Sequence, residues 1–242
     1  MIWKKNPFAV TGRLCRCWLI NSRVPAEAAR AIVPAPLELV THGGFAFWNV
    51  VICQLCGMRP TGLPAALGIG YWHVAYRLLV RAKLASGGEI TGLYFVRSDA
   101  DQPFVAAVGN LLTDFHFHAA QIRVDEQQDR MRCEVKARGA NASFELSRTP
   151  PVELVSDSPF ASVEEAAAIL KYTPVALSPH GPGAVNVVRV ARDEQAWRTR
   201  LLSIEAAESD FLASFGPVPE LAFEVDPLDY RWGRGEIVEV QR

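Results

Sequence analysis

No stretch of the 242 residues stays apolar long enough to span a bilayer. The opening MIWKKNPFAV lacks the apolar core of a secretory leader. These absences set the expectation of a cytoplasmic protein. Basic residues never run more than two together and the formal charge is −1, which excludes the electrostatic footprint of a nucleic-acid or anionic-membrane partner. Cysteine is scarce and odd in number, five in all, so no disulfide framework is expected. Cys53 and Cys56 form a C-x-x-C inside a strand-like run rather than at a helix start, where thiolates are activated. Buried, reduced thiols are therefore expected. There is no G-x-S-x-G elbow, no P-loop and no G-x-G-x-x-G ahead of a helix, so neither a serine-hydrolase triad nor a dinucleotide site is indicated.

What is present is a dense apolar repertoire: half the residues are hydrophobic, with twelve Phe, six Trp and five Tyr. Its clearest organisation lies between Gly70 and Val124, where three apolar runs are separated by Gly87-Gly88 and by Asp99 to Asp101. This punctuation predicts a meander of strands over 71–83, 90–98 and 104–122. In the first, Val74, Tyr76, Leu78 and Val80 alternate with His73, Ala75, Arg77 and Leu79, so a histidine and an arginine share a face. In the third, Asp114, His116 and His118 fall on one face and Phe115 and Phe117 on the other.

Around this centre, residues 11–22 and the apolar run from Phe45 to Cys56 read as strands. The Gly- and Pro-rich 57–70 reads as an apolar loop covering a pocket. PAEAARAIVP is helical between Pro25 and Pro34, and SVEEAAAIL carries a capping box from Ser162 and Glu165. RMRCEVKARG and ANASFELSR form a hairpin, and the proline-bearing YTPVALSPHGPG reads as an external loop. The stretches 184–193, 197–207 and 236–240 read as further strands, with a short helix or turn at ESDFLASFG. Ten or so strands and two or three short helices predict one mainly β domain over 1–242, an antiparallel closed or nearly closed β-barrel. Closure removes edges that so apolar a chain could not leave bare.

The run Tyr71-Trp72-His73-Val74-Ala75-Tyr76-Arg77, then Gly92-Leu93-Tyr94-Phe95, resembles a branch of the acetoacetate decarboxylase-like superfamily, the domain of unknown function 2071. The helix-Pro-x-Pro-Leu segment at 25–37 and Gly43-Gly44 fit the same order, and the resemblance spans roughly residues 14–124. It implies the barrel of that superfamily, in which acetoacetate decarboxylase forms a Schiff base through a lysine of lowered pKa. With Gly109 matched to the family glycine, Phe115 keeps the family phenylalanine. His116 then replaces a proline, and Phe117 and His118 stand where the nucleophilic and second lysines would be. His73 occupies a glutamate slot, and Lys4, Lys5, Lys83, Lys136 and Lys171 lie elsewhere in the chain. Phenylalanine forms no imine, so Schiff-base decarboxylation is not expected.

The expected function is binding of a small apolar or keto/carboxylic acid in the barrel cavity, without a cofactor. A cofactor-free lyase is the alternative. Arg77 would anchor the acid, His73 would be its polar participant, and Tyr94, Asn110, Phe115 and Phe117 would line the pocket. Against this, Arg77 could instead pair internally with Glu89 or Asp114, leaving His73 as wall. A metal-dependent barrel enzyme using Asp114, His116 and His118 is a further alternative, weakened because the register that turns Phe117 inward turns both histidines outward. His42 and His180 sit beside glycines and are expected in solvent. The only partner expected is a small molecule, and self-association is left open.

Overall fold

The computed structural model describes residues 5–170 and 173–241. Strand β1 (Val10–Pro25) leads through helix α1 (Ala26–Arg30) and the short β2 (Glu38–Leu39) into β3 (Phe45–Pro60). Strands β4 (Ile69–Lys83) and β5 (Glu89–Ala100) follow, then helix α2 (Pro103–Leu112) and β6 (Phe117–Ala119). The hairpins of β7 (Gln121–Glu126), β8 (Arg130–Lys136) and β9 (Ala142–Ser147) precede helix α3 (Val163–Ile169). Strands β10 (Val175–Pro179), β11 (Ala184–Arg192) and β12 (Thr199–Ser209), helix α4 (Asp210–Ala213), and β13 (Val218–Val225), β14 (Leu228–Trp232) and β15 (Glu236–Glu239) complete the order.

Seven of these strands close a ring in the order β14-β11-β10-β5-β4-β3-β1, and β1 pairs back onto β14. Closure depends on the length of β1. Its Val10–Leu14 half pairs with β14, while Cys17–Arg23 pairs with β13 and opens a second layer running β13-β12-β9-β8-β7. The expected antiparallel barrel is therefore present in mixed form, because β10 runs parallel to β5 and so does β6.

The alternation along β4 sorts two buried clusters. Val74, Tyr76, Leu78 and Val80 face outward from the ring and pack with Trp18, Trp48, Met131, Cys133, Phe144 and Leu146, beneath the second layer. Ala75 faces the lumen with Cys17, Leu19, Val51, Cys53, Phe95, Phe115 and Phe117. A bulge in β5, where Tyr76 pairs with Arg97 but Arg77 with Phe95, leaves Val96 unpaired and turns Phe95 inward beside Arg77.

Several local expectations need correction. The third strand of the meander is largely α2; Pro103 stands at its start, and Val105, Val108 and Leu112 follow at helical spacing. The 57–70 loop is shorter than expected, since β3 runs to Pro60 and β4 begins at Ile69; residues 61–68 remain as a turn with a 3-10 helix at Ala65–Leu67. The proline-bearing segment is not an external loop. Its centre is buried β10, admitted because a Cβ on Gly92 would meet Leu177 Cγ at 2.8 Å. The cysteines are not all reduced: Cys15 and Cys56 are bonded across the β1–β3 ladder, whereas Cys17, Cys53 and Cys133 are free and buried. Ser162 caps α3 as expected, accepting from Glu165 N at 3.2 Å, while Glu165 reaches back to Ala161 N rather than to the cap itself. His42 is stacked on Phe160 at 4.8 Å rather than lying free in solvent. Among the described residues no helix is long and apolar enough to cross a membrane.

Candidate functional site

The lumen-facing side chains of β1, β3, β4 and β5 fall into cross-strand rows fixed by register. One row is Cys17, Cys53, His73 and Ala100; the next is Leu19, Val51, Ala75 and Ser98; the third is Asn21, Asn49, Arg77 and Phe95. Because strand side chains alternate, every member of a row points to the same side of the sheet. These rows wall an inner chamber of about 60 Å³, which Cys17, Cys53, His73, Arg77, Arg192 and Trp197 help to line. In front of it lies a larger cavity of about 350 Å³, walled by α2, the ends of β3 and β4, and residues 6–8. Leu55, His73, Phe95 and Trp232 border both spaces and form the neck between them.

Arg77 is held from behind by neutral groups. Its Nη2 donates to Asn49 Oδ1; Asn49 Nδ2 donates to Asn21 Oδ1 at 2.8 Å, and Asn21 Nδ2 to Leu221 O at 3.3 Å. The guanidinium also lies over the Phe95 ring, 5.4 Å from its centroid. The acids first considered as its partners are occupied elsewhere. Glu89 is 3.6 Å from Arg81, and Asp114 accepts from Ser178 Oγ at 3.0 Å. A second arginine, Arg192, reaches the chamber from β11 with its side chain 4 % exposed. Its guanidinium stacks 3.5 Å over Trp197 and is paired with Glu194 at 2.9 Å.

His73 is 7 % exposed, and its Nε2 has no hydrogen-bond partner among the described residues. Burial, and then the charge of Arg77, push the imidazole pKa down to about 3. The ring is therefore neutral at physiological pH, suited to donate or accept one hydrogen bond and a weak base. The thiols beside it are inert for the same reason: burial raises Cys17 and pushes Cys53 up to about 12, against the opposing pull of Arg77.

Phe117 stacks on His73 with centroids 5.2 Å apart, and Phe115 stacks on Phe95 at 4.3 Å. Both rings are buried and line the outer cavity. Asn110, expected as a polar group of the pocket, instead clamps the backbone of Phe117. Its Oδ1 accepts from Phe117 N and its Nδ2 donates to Phe117 O, each at 2.7 Å. Tyr94 belongs to the buried cluster on the outer side of the ring, 6.1 Å from the His116 ring.

The two histidines of the His-x-His are exposed. His116 Nδ1 lies 2.8 Å from Phe95 O, and His118 pairs in register with Asp99. Asp99 is itself fully buried in an ion pair with Arg97 at 2.7 Å. Asp114, His116 and His118 are not gathered around a common point, and among the described residues no group of three His, Cys, Asp or Glu side chains is placed to share a cation. Lys5 donates to Asn110 O at 2.9 Å, Lys83 pairs with Glu38 at 2.8 Å and Lys136 ends β8, while Lys4 and Lys171 lie outside the described residues.

Sequence reasoning missed Arg192, Trp197 and the chamber position of Cys17 and Cys53. Arg192 ends an alternating apolar stretch, Val185 to Val190, whose inward face was readable, but nothing local shows that β11 stands across the lumen from β4.

Comparison with solved structures identifies the architecture. An acetoacetate decarboxylase-like enzyme from Sphingomonas wittichii RW1 superposes with a TM-score of 0.65 at 14 % identity, over 97 % of this chain and 94 % of that one. The enduracididine biosynthesis enzyme MppR complexed with pyruvate gives 0.56 at 13 % identity, over 98 % and 91 %. Acetoacetate decarboxylase from Legionella pneumophila gives 0.56 at 12 % identity, over 94 % and 87 %. At these identities the likeness shows the fold, acetoacetate decarboxylase-like, and the fold alone. No curated protein matches the sequence at a significant level. The sequence does match DUF2071, described as an uncharacterized conserved protein, over residues 11–212, most of the chain. The chain belongs to the DUF2071 family and carries an acetoacetate decarboxylase-like fold.

Proposed function

We propose that the protein binds a small organic acid inside the ring, with the carboxylate on Arg77 and a neighbouring oxygen at His73, and without forming an imine. One observation carries the reading: a buried guanidinium and an imidazole whose Nε2 has no partner among the described residues meet in one chamber that adjoins an apolar cavity. The Asn49–Asn21 relay preorganises the guanidinium, so little ordering remains when a carboxylate arrives. A planar fork of donors suits a carboxylate better than any other small anionic group of that size except phosphate. Phe117, at the position the family resemblance assigns to the nucleophilic lysine, argues for binding over imine chemistry. The pyruvate named with one structural neighbour is an oxo acid of the same class.

The test is a thermal-shift panel of small acids, including pyruvate and acetoacetate, against wild type and Arg77→Met. Saturating acid at about a hundred times Kd stabilises the native state by ~2.7 kcal/mol. The expected result is a raised Tm in wild type and none in Arg77→Met. A panel without effect, or a shift that survives in Arg77→Met, contradicts the proposal.

A further inference from the structure

The inner chamber and the cavity before it are both largely apolar and differ sixfold in volume, but only the inner one has the buried guanidinium groups of Arg77 and Arg192 in its wall; together they specify more than an acid. At about 60 Å³ the chamber admits a carboxylate and little else, whereas the outer cavity measures about 350 Å³. At ~30 Å³ per water-sized group, the outer space holds roughly a dozen non-hydrogen atoms. Its walls are mostly apolar. Val105, Val108 and Leu112 present one face of α2 to it, and Phe115 and Phe117 close its inner side. Of the polar side chains in its lining, Arg59 donates to Leu63 O and Gly57 O, Thr113 Oγ1 donates to Gly109 O at 2.8 Å, and Asn6 accepts from Asn186 at 3.2 Å, while Tyr71 adds a phenol. At the rim, Phe8, Ile69 and Phe104 stay 41 %, 38 % and 64 % exposed, an apolar edge that a protruding chain would cover.

Resting on the reading above, we infer that the ligand is an amphiphilic acid with an apolar tail of roughly ten non-hydrogen atoms, filling most of the outer cavity. The carboxylate sits between Arg77 and Arg192. An oxo or hydroxyl oxygen lies at the neck against Nε2 of His73, which with the Trp232 indole supplies the polar groups of the neck among the described residues. The tail runs outward along α2 to the open rim. Sugars and zwitterions fit less well than an alkyl chain, because the mostly apolar outer walls pair few of their polar groups.

The test is isothermal titration of the intact protein with butanoate, hexanoate, octanoate and decanoate, alongside octanol. Burial of each added methylene is expected to tighten binding about fourfold until the tail reaches the rim, after which the series levels. Octanol should bind far more weakly than octanoate. Val108→Trp, whose indole occupies the tail channel, should flatten the series. Equal affinity for butanoate and octanoate, or an undiminished length dependence in Val108→Trp, overturns the tail assignment while leaving acid binding intact. Octanol as tight as octanoate overturns the seating of the head group. Failure of every acid to bind removes the acid reading itself, and this inference with it.

Discussion

Gly109→Ala reports on the contact that brings α2 against the neck. A Cβ at this position would stand 2.7 Å from Cε2 and 2.9 Å from Cγ of Phe117, and nearer still to Cδ2. The ring has little room to withdraw. Its backbone is clamped on both the N–H and the C=O by Asn110, and its far face lies against His73 at 5.2 Å. Overpacking of this kind costs ~1–3 kcal/mol. Replacing a mid-helix glycine by alanine returns ~0.5–1 kcal/mol of helix stability. The net expectation is a loss of up to about 2.5 kcal/mol, which for a chain of this size lowers Tm by up to roughly 10 °C. Phe117→Ala alone empties a buried ring site at a cost of ~3–5 kcal/mol. In the double variant the new methyl meets a hole instead of a ring, so the two losses fall short of additivity by ~1 kcal/mol or more. Urea and thermal unfolding of the four proteins in the cycle supply the numbers. A Gly109→Ala variant more stable than wild type, or two strictly additive losses, would refute the packing argument.

Three further outcomes follow from the same geometry. Because the folded-state pKa of His73 is depressed from 6.5 to about 3, the unfolded chain binds the extra proton between these values. This group's contribution is thus complete above the unfolded pKa and is lost as pH falls, with a slope of at most ~1.4 kcal/mol per pH unit. Ring NMR signals of His73 should accordingly stay flat between about pH 5 and 8, and a midpoint in that range would contradict the burial argument. Asn49→Leu withdraws the amide that positions Arg77 and strands Asn21, so denaturation should show a loss of ~2–3 kcal/mol; it should also weaken acid binding more than Val51→Ala does. Borohydride added with pyruvate should leave the intact mass unchanged, and a reduced lysine adduct would restore imine chemistry.

Much of the fold was readable wherever one face of a strand is buried. The alternation from His73 to Val80 separated lumen from outer core, and two-residue periodicity set Phe115 and Phe117 opposite His116 and His118, while only the family resemblance turned Phe117 inward and the histidines outward. That periodicity failed at α2, because Phe104 to Leu112 is apolar on nearly all sides and a short apolar run does not distinguish strand from helix. Pro103 at N1 was the clearest helical signal. Strand β10 was hidden by prolines that sit near its ends rather than at its centre, and its pairing with β5 is non-local. The second arginine of the site and the Cys15–Cys56 pairing depend on closure and on a bulged register, neither of which is encoded in any short window. The chamber's chemistry was therefore half legible: His73 and Arg77 from one strand, Arg192 from across the ring.

A crystal structure of the protein soaked with octanoate tests the central claim most directly. The account predicts carboxylate density within ~3 Å of the Arg77 guanidinium, with the alkyl chain laid along Val105, Val108 and Leu112. A chain lying the other way, its carboxylate in solvent beside Phe104 and its methyl end against Arg77, would contradict it.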